Sequence, residues 1–152
     1  MTDRPLGFDT LCIHAATAPD PATGARQVPI YQTTAYVFRD ADHAAKLFNL
    51  QEVGYIYSRL TNPTVSALAN RVVALEGGAG GIACSSGHAA QIMALFPLMQ
   101  PGRNVVASTK LYGGTIQQFS NTIRKFGWSA KFVDFDDPKA IEAAIDADTR
   151  AL

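Results

Sequence analysis

Cysteine is scarce, with only Cys12 and Cys84 among 152 residues. The two are far apart and outside any C-x-x-C pair, so they offer no disulfide framework, and free thiols in a reducing cytosol are the expectation. Excess charge of either sign is also missing. Thirteen basic side chains face 13 acidic ones, which leaves no electrostatic footprint for DNA, RNA or an anionic membrane. The longest apolar run, Ile92 to Met99, is too short to span a bilayer. The stretch from Met1 to Gly7 has no apolar segment of the signal-peptide kind. Together these absences favour a cytoplasmic protein with a small-molecule partner. No Cys, carboxylate or second His stands at metal spacing from His14, so no metal site is expected. Nucleotide fingerprints are lacking too. There is no G-x-x-x-x-G-K-[ST], and the cluster Gly77-Gly78-Ala79-Gly80-Gly81 precedes its expected strand and lacks G-x-G-x-x-G spacing.

What is present is an ordinary globular composition, 47% apolar and 17% charged. A chain of this length buries about 68–70% of its unfolded surface, enough for one main core. From Asp9 to Phe38 scattered Pro, Thr and Tyr break any sustained period, which predicts a long, mostly irregular arm. An arm without a core of its own needs another surface to pack on, so an oligomer is expected. A short helix follows from Asp40 to Leu50, with Ala41, Ala44, Ala45, Leu47 and Phe48 on its apolar side.

Two stretches carry chemistry. In Tyr55-Ile56-Tyr57-Ser58-Arg59-Leu60-Thr61-Asn62-Pro63-Thr64, Tyr57 and Arg59 lie two apart on an expected extended segment. There they point the same way, a phenol beside a planar guanidinium fork that suits a phosphate. A stacked surface pair fits those residues equally well. Asn62 and Pro63 then start a helix, Val65, Leu68, Ala69, Val72 and Leu75 keep its period, and Gly77-Gly78 ends it.

The second stretch, Ile82-Ala83-Cys84-Ser85-Ser86-Gly87-His88-Ala89-Ala90-Gln91, reads as strand, tight turn and helix. Gly87 tolerates an unusual backbone angle or a close ligand, and the amides after it are the free donors of a new helix. Such a turn can hold a dianion without lysine. A plain turn capped by Ser86 is the alternative on this stretch alone. Beyond it, a helix from about His88 to Leu98, a strand at Asn104–Ser108, and a helix from Tyr112 to Phe126 with Ile116, Phe119, Ile123 and Phe126 inward are expected. A strand at Lys131–Val133, a helix from Asp137 to Ile145 and a strand beginning at Ala151 complete the pattern. This alternation is that of βαβ units around a parallel sheet with helices on its faces. Ligands sit at the carboxyl ends of such strands, where Ser86–His88 and Tyr112 are expected.

Four motifs in this order, Tyr55 to Thr64, Leu75-Glu76-Gly77-Gly78, Ser85-Ser86-Gly87-His88-Ala89-Ala90 and Leu111-Tyr112-Gly113-Gly114-Thr115, closely resemble the Cys/Met-metabolism family of pyridoxal-phosphate enzymes. Within it, Phe8-Asp9-Thr10-Leu11-Cys12-Ile13-His14 and Leu47-Phe48-Asn49-Leu50-Gln51-Glu52 are most similar to the sulfhydrylases that convert O-acetylhomoserine and sulfide to homocysteine and acetate. The resemblance implies the amino-terminal portion of a three-layer α/β fold type I (aspartate-aminotransferase-like) enzyme. Residues 1–61 would be an arm making inter-subunit contacts and residues 62–152 the first part of the cofactor domain. It further implies a homotetramer of tight dimers with shared sites. Ser86, Gly87 and His88 would hold the phosphate of pyridoxal 5'-phosphate, Tyr112 would stack on its ring and move a proton, and Tyr57 and Arg59 would reach the phosphate of a neighbouring subunit. The lysine that carries the cofactor is expected beyond Leu152, with Lys110 its sole rival within these residues. A methionine γ-lyase or cystathionine γ-synthase of the same family is an alternative, the γ-lyases carrying cysteine where this chain has Gly114. So is a non-catalytic cofactor-binding or oligomerisation module.

Overall fold

The computed structural model describes residues 6–152; the expected arm's first residues, 1–5, lie outside that range. The chain divides into two compact units, one reaching to Ala83 and the other Cys84–Leu152. This division falls later than the boundary at 61/62 expected between arm and cofactor domain.

In the first unit the arm is less irregular than its sequence suggests, because it contains α1 (Phe8–His14). Seven residues give too few turns for a period to show. The helix is held instead by one side chain from farther along: Arg71 donates from Nε to the Ala15 carbonyl at 2.7 Å and from Nη1 to the Cys12 carbonyl at 2.6 Å. Its Nη2 donates to Thr17 Oγ1 at 2.9 Å. Carbonyls left open at the end of α1 are thereby satisfied. Next, α2 (Ala41–Phe48) is capped by Asp40, whose carboxylate accepts from the His43 amide. Only Leu47 of its expected apolar side is buried, and Phe48 is exposed. Asn62 caps α3 (Pro63–Glu76) by accepting from the Thr64 amide, and Gly77 ends it at φ 65°. None of its residues is buried. Val65, Leu68 and Val72, which keep its apolar period, form an exposed stripe.

In the second unit α4 spans Gly87–Leu95 and β1 spans Asn104–Ser108. The helix after β1 is not uniform: α5 (Gly113–Gln117) passes into a π turn at Gln118–Thr122 and a 3₁₀ turn at Ile123–Phe126, closed by left-handed Gly127 at φ 74°. Widening and then tightening the coil shifts its inward face. Thr115, Phe119 and Ile123 are buried, whereas Phe126 is 43% exposed, against expectation. Then come β2 (Ser129–Val133), α6 (Pro138–Ala144, capped by Asp137) and β3 (Thr149–Ala151). The sheet is parallel, as expected, in the order β2-β1-β3. Val105 and Ala107 of β1 meet Leu95, Met99, Phe119, Ile123 and Trp128 in the core. Fully buried Ile123 contributes about 1.5–3 kcal/mol.

The strand expected over Ile82–Cys84 is absent from the described residues. A strand exists only by pairing, and these residues pair with none of the three strands. Ile82 is accordingly 79% exposed.

At the start of the sheet, buried Asn104 donates from Nδ2 to Asp146 Oδ1 at 2.9 Å and accepts from Thr149 Oγ1 at 2.8 Å. Lys131 bonds Asp146 as well, and its ammonium, followed by the Asn104 amide, holds the Asp146 carboxyl far below the usual carboxylate range. A depressed folded pKa contributes stability above the unfolded value near ~3.9 that is lost as pH falls through it. Asp146→Asn is therefore expected to unfold earlier than the parent at neutral pH. In denaturant titrations the gap between the two unfolding curves should begin to narrow below about pH 4 and close only as pH falls toward the depressed folded value.

Candidate functional site

The turn at Ser86 is built by its own helix. Ser86 Oγ accepts from the Ala89 amide at 3.2 Å, which leaves the hydroxyl hydrogen free to donate outward. The Gly87 and His88 amides have no partner among the described residues, as the first turn of a helix requires. Gly87 has an ordinary negative φ, so backbone strain is not why glycine stands here. A side chain there would meet no protein atom within 4 Å. The open space lies over three donors at a helix N-terminus, and it is space that a Cβ would enter. These residues fit a phosphate.

Tyr112 stands at the carboxyl end of β1 as the residue before α5, its carbonyl accepting from the Thr115 amide at 2.9 Å and the Ile116 amide at 3.1 Å. Its main chain is thus fixed, while the side chain is 77% exposed. The ring lies 6.1 Å from the His88 ring, tilted by 33°. The structure therefore brings Ser86, Gly87, His88 and Tyr112 together, an anion cradle beside an aromatic face open to a flat ligand.

Gln118 also belongs here, although nothing in its sequence position pointed to it. From the π turn its Nε2 donates to the His88 carbonyl at 3.0 Å. With His88, Gly114, Gln117, Asn121 and Thr122 it lines an open polar cleft of about 370 Å³.

Tyr57 and Arg59 lie in the first unit. The extended reading holds only as far as Tyr57, which pairs with Ala35 in an antiparallel bridge. The chain then turns, the Leu60 and Thr61 amides donating to the Tyr57 carbonyl at 2.9 and 3.0 Å. The turn, and not strand alternation, brings the Arg59 guanidinium 5.4 Å from the centre of the Tyr57 ring. Such a contact is worth about 0.5–1 kcal/mol at an exposed site. Arg59 has no carboxylate partner among the described residues, so its fork is free for an anion. Asn62 anchors this loop, donating from Nδ2 to the Tyr31 carbonyl at 2.9 Å and to Ser58 Oγ at 3.0 Å. Its capping role was legible; its grip on the arm was not.

Lys110, the rival for the lysine that carries the cofactor, is engaged by two carboxylates. Its ammonium pairs with Asp136 and, at 3.1 Å, with Asp134. Those carboxylates, Asp136 first, push its pKa above the ordinary lysine value. A lysine that condenses with an aldehyde must become a neutral amine, so both partners oppose the reaction. Incubating this chain with pyridoxal phosphate, reducing with borohydride and mapping by mass spectrometry should yield no stoichiometric adduct on Lys110.

Residues 9–152 match the family model of Cys/Met metabolism PLP-dependent enzymes. The chain is 52% identical over 145 residues to a homocysteine synthase of Schizosaccharomyces pombe, covering 95% of this chain and 34% of that protein. It is 50% identical over 147 residues to an O-acetyl-L-homoserine sulfhydrylase of Thermus thermophilus, covering 96% of this chain and 35% of that one. It thus spans about a third of the length of the curated relatives it matches. Among solved structures it superposes with a TM-score of 0.88 and 46% identity on a chain described as an O-acetylhomoserine (thiol)-lyase of Campylobacter jejuni, which holds a pyridoxyl-lysine phosphate. That match covers 95% of this chain and 35% of the other. A cystathionine gamma-lyase of Lactobacillus plantarum superposes with a TM-score of 0.81 at 33% identity, over 95% and 35% of the two chains.

Proposed function

The chain belongs to the Cys/Met metabolism PLP-dependent enzymes, and from that premise we propose that it is the amino-terminal part of a fold type I enzyme replacing the acetate of O-acetylhomoserine with sulfide to give homocysteine. One observation carries the choice within the family: identity of about half to relatives named homocysteine synthase and O-acetyl-L-homoserine sulfhydrylase, against 33% to a cystathionine gamma-lyase. Pyridoxal phosphate, when bound, supplies an electron sink that lets the substrate lose protons at Cα and Cβ and acetate at Cγ. The phosphate would be held by the Ser86 hydroxyl and by the Gly87 and His88 amides. Tyr112 would pack its ring on the cofactor ring and move a proton through its hydroxyl. Tyr57 and Arg59 would bind the phosphate in the site of a neighbouring subunit.

Apolar surface supports that sharing of sites. In the first unit Ile30, Val37, Leu50 and Val53 are between 78% and 102% exposed, and the α3 stripe adds Val65, Leu68 and Val72. Surface of this kind is covered by further protein, whether a neighbouring subunit or the remainder of the same chain. Residues 1–61 act as the inter-subunit arm of a homotetramer built from tight dimers, and residues 62–152 begin the cofactor domain. Among the described residues no helix is long and apolar enough to cross a membrane, and the neutral charge balance fits a cytoplasmic enzyme.

With both flanking carboxylates holding Lys110 charged, these residues taken alone bind cofactor without turning over substrate. The test is to offer the complete enzyme O-acetylhomoserine with sulfide, cysteine or no added thiol. Homocysteine formed from sulfide faster than cystathionine or 2-oxobutyrate is expected. Faster formation of either of the other products would replace this reading with the synthase or the lyase.

A further inference from the structure

Tyr112 is anchored by its main chain alone, and its exposed ring has one aromatic neighbour, His88. Gly114 explains how the two rings come close. Its φ is not in the left-handed range, so the backbone does not demand glycine. A Cβ at Gly114 would stand 2.7 Å from Tyr112 Cε1, 2.8 Å from His88 Cε1 and 3.0 Å from His88 Nε2. Real Cβ atoms do not approach so closely, so a side chain at this position would require one or both rings to shift. His88 is itself held from behind, since its carbonyl accepts from Gln118 Nε2 of the π turn. The α4 N-terminus, the α5 N-terminus and the π turn therefore meet at one residue, the π turn through the His88 carbonyl and α5 through its ring.

We propose that the His88 side chain is a positioning residue for Tyr112, and that Gly114 is the gap that lets it act as one. This rests on the reading of Tyr112 as the proton-moving residue. The amide of His88 faces the anion cradle while its ring braces the phenol, so one residue ties the depth of the phosphate to the placement of the hydroxyl. The brace is a tilted ring contact, 33° between planes and 6.1 Å between centres. It limits the tilt of an otherwise free ring, which matters because proton transfer is sensitive to displacements of an ångström.

The experiment is a double-mutant cycle in the complete pyridoxal-phosphate-loaded enzyme with His88→Ala, Gly114→Ala and the pair. It is read by kcat, KM, cofactor affinity and the visible circular dichroism of the bound cofactor. His88→Ala leaves the amide in place. It is expected to lower kcat about 2- to 10-fold, the size of one aromatic pair, with KM and cofactor affinity little changed and the dichroic band weakened. Gly114→Ala should cost more, up to about 100-fold. It should cost less in the His88→Ala background, where one of the two colliding rings is gone. Equal costs of Gly114→Ala in both backgrounds, or an unaltered kcat and dichroic band in His88→Ala, would overturn the proposal. Tyr112→Phe separates the two ideas. If its turnover is normal while His88→Ala still alters the band, the brace stands and the proton role falls; the reverse pattern removes the brace and keeps the proton role.

Discussion

Replacing Tyr112 by phenylalanine is expected to lower turnover of the complete enzyme by about 10²–10⁴, with the cofactor still bound at full occupancy. In the proposed role the ring packs through its face, which phenylalanine keeps, and the proton travels through the oxygen, which phenylalanine lacks. Nothing else is disturbed, because the residue is fixed through its carbonyl to the Thr115 and Ile116 amides and its side chain is 77% exposed. The folded stability of the variant should match the parent, so a thermal melt run beside the kinetics controls for unfolding. Turnover within twofold of the parent would reduce Tyr112 to a stacking surface.

Arg59→Ala should loosen pyridoxal phosphate by about 10- to 150-fold, the equivalent of one charged hydrogen bond worth roughly 1.5–3 kcal/mol. The guanidinium lies over Tyr57 and has no carboxylate among the described residues to occupy it. The loss is to be measured by titrating cofactor into the apoenzyme. A second experiment asks whose site the residue serves. Subunits carrying Arg59→Ala, mixed and reassembled with subunits lacking the cofactor-bearing lysine, should at limiting cofactor show more activity than either parent. A hybrid dimer of that kind contains one site with both groups intact. If the mixture is no more active than its parents, Arg59 acts within its own chain.

Much of this fold could be read where a residue acts on its immediate neighbours. Asn62 and Gly77 bound α3, Asp40 and Asp137 cap their helices, and β1 lies over the residues its apolar run suggests. Misreadings arose where the outcome depends on distant partners. Ile82–Cys84 has the composition of a strand but no strand beside it to pair with. Helix α1 is held by Arg71, far along the chain, and Phe126 turned outward because a π turn inserted ahead of it changed the phase of the helix. The site divides in the same way. Ser86, Gly87 and Tyr112 carried recognisable turn chemistry, whereas Gln118 acts only through a coil widening that no periodicity announces. Tyr57 and Arg59 were rightly paired for the wrong reason, since a turn and not an extended strand brings them together.

The order of strands across the sheet also sets an order in time. A ribosome delivers β1 before either of its neighbours, and the strand cannot be covered on both edges until Ala151 has been added. Val106, without any exposed surface in the finished fold, must wait through the synthesis of α5, β2 and α6. During that interval the nascent chain carries an uncovered apolar strand, and slower translation between Gly127 and Ala151 would lengthen its exposure to chaperones and to other nascent chains.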